Sequence, residues 1–72
     1  MIDRSTAEEI HRIMDEVTAK LDQSVRLVQQ HGSEDDLAQY RNVIGQIMGS
    51  ILLDILQPIY RDHPDLTPPY LK

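Results

Sequence analysis

The chain of 72 residues contains no cysteine, no tryptophan and no phenylalanine, and its only aromatic residues are three tyrosines. The absence of cysteine excludes disulfides, thiolate metal sites and thiol catalysis. A chain this short buries only about 60% of the surface that its unfolded form exposes. We therefore expect a single domain, residues 1–72, that is marginally stable alone and self-associates as a homodimer.

Basic residues are also scarce, since seven Lys and Arg stand against twelve Asp and Glu, for a net charge of -5. Nucleic-acid binding requires a basic stripe to neutralise phosphates, so we expect none. The N-terminal residues are charged from Asp3 onward and contain no apolar run, so we expect no secretory signal and a cytoplasmic protein. The acidic balance favours a basic protein as a partner.

Apolar residues at steps of three and four predict a first helix over about residues 5–31. Ser5 and Glu8 have the spacing of a capping box, and Gly32 is expected to end the helix in the left-handed conformation. One apolar stripe follows the helix: Ile10, Ile13, Met14, Val17, Leu21, Val25 and Val28. Acid-first pairs at spacing four are expected on its outer face: Glu8/Arg12, Glu16/Lys20 and Asp22/Arg26.

A second helix is predicted over about residues 33–57, with Ser33 as its cap and acidic residues in its first turn. The link between the helices is only about three residues long, which requires an antiparallel hairpin. Pro58 either ends the second helix near Leu56 or kinks it and allows one more turn through Arg61. Residues 58–72 form a proline-rich tail that is expected to be extended or to contain a short turn opened by Thr67 and Pro68. We expect it to dock through Leu66, Tyr70 and Leu71, the alternative being a mobile tail.

The second helix is apolar over roughly 200° of its circumference, about twice what one partner helix covers. Either the tail or a second subunit must cover the remainder. One stripe contains Leu37, Tyr40, Ile44, Ile47, Ile51 and Ile55, and the other contains Ala38, Gly45, Gly49, Leu52 and Leu56. Polar residues recur on one face, at Gln46, Ser50, Asp54 and Gln57, so we expect no association with a membrane.

Gly45 and Gly49 are the most informative pair, because each glycine inside a helix costs about 1 kcal/mol relative to alanine. Close approach of another helix is one explanation; a groove for a ligand or peptide and a locally bent helix are the alternatives. The first explanation predicts a dimer interface made of Ala38, Gly45, Met48, Gly49, Leu52 and Leu56.

Little in the sequence indicates chemistry. His11 and Asp15 share a helix face and could supply two metal ligands, but no denser ligand pattern accompanies them. Asp54 is the one acid on the rim of the apolar arc, where a solubilising role accounts for it. We predict no catalytic, cofactor-binding or metal-binding residue.

The predicted fold is all-α: an antiparallel two-helix hairpin with a proline-rich C-terminal tail, dimerising into a four-helix bundle. The predicted function is that of a small acidic, non-catalytic protein that acts through protein-protein interaction, as adaptors and inhibitors do. The alternative is a small-molecule or peptide binder with an apolar groove between hairpin and tail. An enzyme with its site across the dimer interface is a third and weaker alternative.

Overall fold

The computed structural model describes residues 2–71 and is an elongated all-α hairpin measuring 44 × 20 × 16 Å. Helix α1 spans Arg4–His31 and helix α2 spans Glu34–Ser50. A π-helix, Ile51–Leu56, continues α2 without a break and leads into α3, Gln57–Asp62. Two 3₁₀ turns follow, Pro64–Leu66 and Pro69–Leu71. The prediction of an all-α helical hairpin is confirmed.

The first helix begins one residue earlier than predicted. Asp3, not Ser5, is its N-cap, and the Asp3 carboxylate accepts a 3.3 Å hydrogen bond from the Thr6 amide. Hydrogen bonding from the Thr6 side chain, and then from its amide, lowers the pKa of Asp3. The predicted capping box of Ser5 and Glu8 is wrong, because Ser5 lies inside the helix and the Glu8 carboxylate accepts from Arg4 at 2.8 Å.

Gly32 ends α1 in an extended conformation, with φ of -101°, so the left-handed ending predicted for it is wrong. The lack of space for a side chain at position 32 explains the glycine instead. A Cβ atom at position 32 would lie 2.9 Å from the Val28 carbonyl oxygen, which accepts the Gly32 amide. Because these atoms are backbone, a larger residue would have to displace the end of the helix.

Ser33 caps α2 as predicted, and a second hydrogen bond runs from its own amide to a side chain in the first turn. The Ser33 hydroxyl accepts from the Asp36 amide, while the Asp36 carboxylate accepts from the Ser33 amide, both at 3.1 Å. The pair is a capping box with aspartate in place of glutamate. The Tyr40 hydroxyl then donates to Ser24 Oγ at 2.8 Å and ties α2 to α1 near the hairpin turn.

The second helix does not end before Pro58 but continues to Asp62, so the tail begins at His63 rather than at residue 58. Proline has no amide hydrogen, and in an α-helix its ring collides with the carbonyl four residues earlier. The π-helix relieves this collision by widening the turn, and the Gln57 amide bonds to the Leu52 carbonyl five residues back. The predicted alternative of one more turn beyond the proline is the one that forms.

The wide turn also changes which side chains reach the core. Ile51 and Leu56, five residues apart, are both buried, whereas Ile55 is exposed. The predicted stripes, which place Ile51 with Ile55 and assign Leu56 to the other side, are therefore wrong beyond residue 51. The core is completed by Ala7, Ile59 and Tyr60, with Ile10, Met14, Val17, Leu21, Leu52 and Leu66 packed around it.

The tail folds back on the start of the chain. His63 Nε2 donates to the Ile2 carbonyl oxygen at 2.9 Å, and the Arg4 guanidinium pairs with Asp65. The hydrogen bond from Arg4 lowers the pKa of Asp65. The tail therefore has two polar attachments to the N-terminal end of α1, although both lie at exposed positions. Lys72, which ends the predicted tail, lies outside the described residues.

The ion pairs on the outer face of α1 differ in part from those predicted. Asp22 pairs with Arg26 at 2.9 Å, as expected. Arg12, however, bonds to Glu9 and Glu16 rather than to Glu8, so the predicted pairs Glu8/Arg12 and Glu16/Lys20 are replaced. Acidic residues outnumber Lys and Arg along α1. The Arg12 guanidinium has several donors and pairs with the two carboxylates that give good hydrogen-bond geometry.

Candidate interaction surfaces

One side of the hairpin carries large aliphatic side chains that no segment within residues 2–71 covers. We call Ile13, Val43, Ile47 and Ile55 the open face; their exposed fractions are 41%, 52%, 43% and 39%. Ile13 of α1 and Tyr40 of α2 line the same concavity. The side of α1 that carries Ile13 therefore adjoins the side of α2 that carries Tyr40. Val43 and Ile47 follow Tyr40 at steps of three and four, so they lie on that same side.

Polar groups border the open face. Glu16 and Lys20 stand at its α1 edge, in the concavity that contains Ile13. Gln46, Ser50 and Asp54 stand at its α2 edge, around a second concavity that contains Ile47 and Ile55. An apolar centre within a polar rim is the usual composition of a protein-protein interface. Asp54, predicted to lie on the rim of the apolar arc, is part of this border.

The glycines lie on the other side of α2. Cβ atoms built at Gly45 and Gly49 would meet no atom of another segment within 4 Å, so no other described segment approaches either glycine. Of the predicted interface, Ala38 and Gly45 are exposed, and Met48, Gly49 and Leu52 are half-buried. Leu56, assigned by the sequence to the interface, lies in the core of the single chain, and the predicted interface as a whole stays a prediction.

The tail runs along Met48 and Leu52 on the glycine side of α2, without reaching either glycine, and borders a cleft of about 250 Å³. Of the predicted docking residues, Leu66 packs against the core, Leu71 forms part of the cleft wall, and Tyr70 stands beside the cleft with 82% of its surface exposed. We call this space the tail cleft; it is lined by Asp15, Thr18, Met48, Ile51, Leu52, Leu56, Tyr60, Tyr70 and Leu71.

The polar end of the tail cleft is formed by a chain of three side chains. The Tyr60 hydroxyl and His11 Nδ1 are hydrogen-bonded at 2.9 Å, and His11 Nε2 lies 3.4 Å from the Asp15 carboxylate. The rings of His11 and Tyr60 meet edge to face. Burial raises the pKa of Tyr60, and the negative charge of Asp15 raises it further, so the hydroxyl stays protonated. The sequence placed His11 and Asp15 together but gave no signal for Tyr60, which lies 49 residues from His11.

No group of three or more His, Asp or Glu side chains that could hold a metal ion occurs within residues 2–71. The pair formed by His11 and Asp15 gains Tyr60 as its neighbour, and a tyrosine hydroxyl that is protonated is a poor ligand for zinc. Nucleophilic catalysis needs a nucleophile that a neighbouring base can deprotonate. The Tyr60 hydroxyl lies beside His11, but burial and the negative charge of Asp15 oppose its ionisation.

The helical run Glu34–Asp62 is long and apolar enough to cross a membrane when judged by length and composition alone. An 18-residue window in it has a mean hydropathy of 1.4, and 28% of that window is buried inside the chain. A single helix of this kind is weak evidence for a membrane span, since helices that pack in the interior of soluble bundles have the same composition. The sequence-based expectation of no membrane association stays a prediction.

Comparison of the chain with protein-family models, with characterised proteins and with solved structures gives no match.

Proposed function

We propose that this protein is a small, non-catalytic interaction protein that self-associates through the open face, so that two hairpins form a four-helix bundle. The observation that carries the proposal is the exposure of four aliphatic side chains on one side of a chain whose own core is small. Contiguous apolar surface on a soluble protein usually marks an interaction site. A two-fold dimer brings the same face of each copy together and covers both at once.

This proposal moves the predicted dimer interface to the opposite side of α2. The glycine side already has the tail against Met48 and Leu52, whereas the open face has no cover from any described segment. The net charge of -5 further suits an adaptor or inhibitor whose outer surface meets a basic protein. The dimer would leave the ion-paired outer face of α1 accessible for that purpose.

The test is sedimentation equilibrium of the wild-type chain and of two matched variants. The wild type is expected at twice the subunit mass of 8.3 kDa. Ile47→Glu places a charge in the centre of the open face, and a buried unpaired charge is costly enough to dissociate the dimer. Leu53→Glu makes the same chemical change at an exposed position outside the open face and is expected to remain dimeric.

Three outcomes contradict the proposal. A wild-type monomer at micromolar concentration shows that the open face is left uncovered in solution. A monomeric Leu53→Glu beside a dimeric Ile47→Glu shows that the interface lies outside the open face. Co-sedimentation of the wild type with neutral phosphatidylcholine vesicles, abolished by Ile47→Glu, shows that lipid rather than a second copy covers the open face.

A further inference from the structure

The tail cleft has a chemical character that self-association does not explain. Its walls are apolar and come from Met48, Leu52 and Leu71, while its polar end carries the Asp15 carboxylate and the Tyr60 hydroxyl. None of the residues that line it is lysine or arginine. The cleft therefore combines an apolar interior with a carboxylate at one end, and the basic group beside that carboxylate is the His11 ring, whose Nε2 lies 3.4 Å away.

The groups at the polar end of the cleft accept hydrogen bonds, so they favour a ligand that donates them. A carboxylate only accepts hydrogen bonds, and about two thirds of the Asp15 side chain is exposed, 66%. The Tyr60 oxygen retains acceptor capacity when its hydrogen points to His11 Nδ1. Thr18 uses its own hydroxyl to donate to the Asp15 carbonyl oxygen, so it also offers an acceptor to the cleft.

We propose that the tail cleft binds a small organic cation, an ammonium group on an apolar stem, with the ammonium at Asp15 and Tyr60 and the stem against Met48 and Leu52. A three-donor ammonium matches the acceptors at the polar end, and the stem replaces water on the apolar wall. The volume of 250 Å³ is slightly below that of typical ligand sites, so the ligand is fragment-sized. The site lies on the side opposite the open face and does not depend on dimerisation.

The experiment is a titration followed by two-dimensional amide NMR, with hexylammonium chloride as the probe. 1-Hexanol and hexanoate have the same stem and carry a neutral or a negative head. Hexylammonium is expected to bind with an affinity of about 1 mM and to shift the amide signals of Asp15, Thr18 and Leu52 to saturation. Hexanol is expected to bind about fivefold more weakly, and hexanoate more weakly still.

Two charge variants on α1 separate a site from general attraction to an acidic protein. Asp15→Asn is expected to weaken hexylammonium about fivefold and to leave hexanol unchanged. Asp22→Asn removes the same charge from a residue outside the cleft, paired with Arg26, and is expected to change neither affinity. Because both replaced side chains are solvent-exposed, both variants are expected to fold.

The proposal is overturned if the shifts do not saturate, if they spread over the acidic surface, or if Asp22→Asn weakens hexylammonium as much as Asp15→Asn does. It is also overturned if hexanol binds as tightly as hexylammonium, which would leave an apolar cleft without charge selectivity. Repeating the titration in Ile47→Glu keeps the two proposals apart, because the cleft is expected to bind equally well in a monomer.

Discussion

Both sides of the hairpin carry apolar side chains, and the tail covers part of only one of them. On the glycine side the tail lies beside Met48 and Leu52, and Leu66 anchors it to the core. On the other side the open face has no such cover, although its residues are as aliphatic as those of the core. The tail therefore covers part of the apolar surface of α2, while the open face remains exposed within residues 2–71.

The π-helix is what divides the two sides. By placing Ile51 and Leu56 on one face, it takes Leu56 out of the glycine side and leaves Ile55 on the open face. A regular α-helix would instead align Ile51 with Ile55. The distribution of apolar surface, and with it the proposed interface, therefore depends on one widened turn in front of Pro58.

The largest expected effect tests this division directly. Leu56→Ala is expected to lower the free energy of unfolding by about 2–5 kcal/mol, because it leaves a cavity in the core. Ile55→Ala, which removes the same kind of side chain one position away, is expected to cost only about 0.5–1 kcal/mol in the monomer. Urea denaturation of both variants in the Ile47→Glu background removes any contribution from the dimer. Equal losses, or the reverse order, would show that the turn is a regular α-helix.

The sequence was sufficient for the regular parts of the fold. Apolar spacing, Ser33 and the short link predict the hairpin and the start of α2, because each rests on interactions within one turn or between adjacent helices. The π-helix was missed because a fixed period of 100° per residue cannot represent a turn widened to accommodate Pro58. The contact of Tyr60 with His11 was missed because it joins residues that only the folded hairpin brings together.

The second prediction concerns the C-terminal tail, which packs on part of the glycine side. Removal of residues 64–72 is expected to lower the free energy of unfolding by about 1–2 kcal/mol, since Leu66 would leave its contact with the core. Helix content measured by circular dichroism is expected to stay nearly unchanged. Removal of residues 69–72 alone serves as the control and is expected to have less effect, because Tyr70 is largely exposed. A melting temperature unchanged by the longer truncation would mean that the tail covers nothing.

The third prediction concerns the polar end of the tail cleft. Tyr60→Phe preserves the buried ring and removes the hydroxyl bonded to His11, so the expected loss is about 1 kcal/mol. Tyr40→Phe is the matched comparison, since it removes the hydroxyl that bonds to Ser24 near the hairpin turn on the open side. Thermal denaturation monitored by circular dichroism measures both. A Tyr60→Phe variant as stable as the wild type would show that water replaces the lost partner of His11 at no cost.

The smallest expected effect decides whether the glycine side has a partner at all. In the chain alone, a methyl group at position 45 or 49 meets nothing within 4 Å. Gly45→Ala and Gly49→Ala are therefore each expected to stabilise the protein by about 0.5–1 kcal/mol, because alanine restricts the unfolded chain and favours the helix. Close approach of another helix at these positions, the first explanation drawn from the sequence, predicts the opposite sign.

Thermal melting and sedimentation of the two alanine variants measure the sign. Higher melting temperatures with an unchanged dimer agree with an interface on the open face, where neither methyl group would lie. Lower melting temperatures with a weakened dimer mean that a second backbone rests against the glycines, since overpacking such a contact costs about 1–3 kcal/mol. In that case the open face is the side still without a partner, and the roles assigned to the two sides of the hairpin are exchanged.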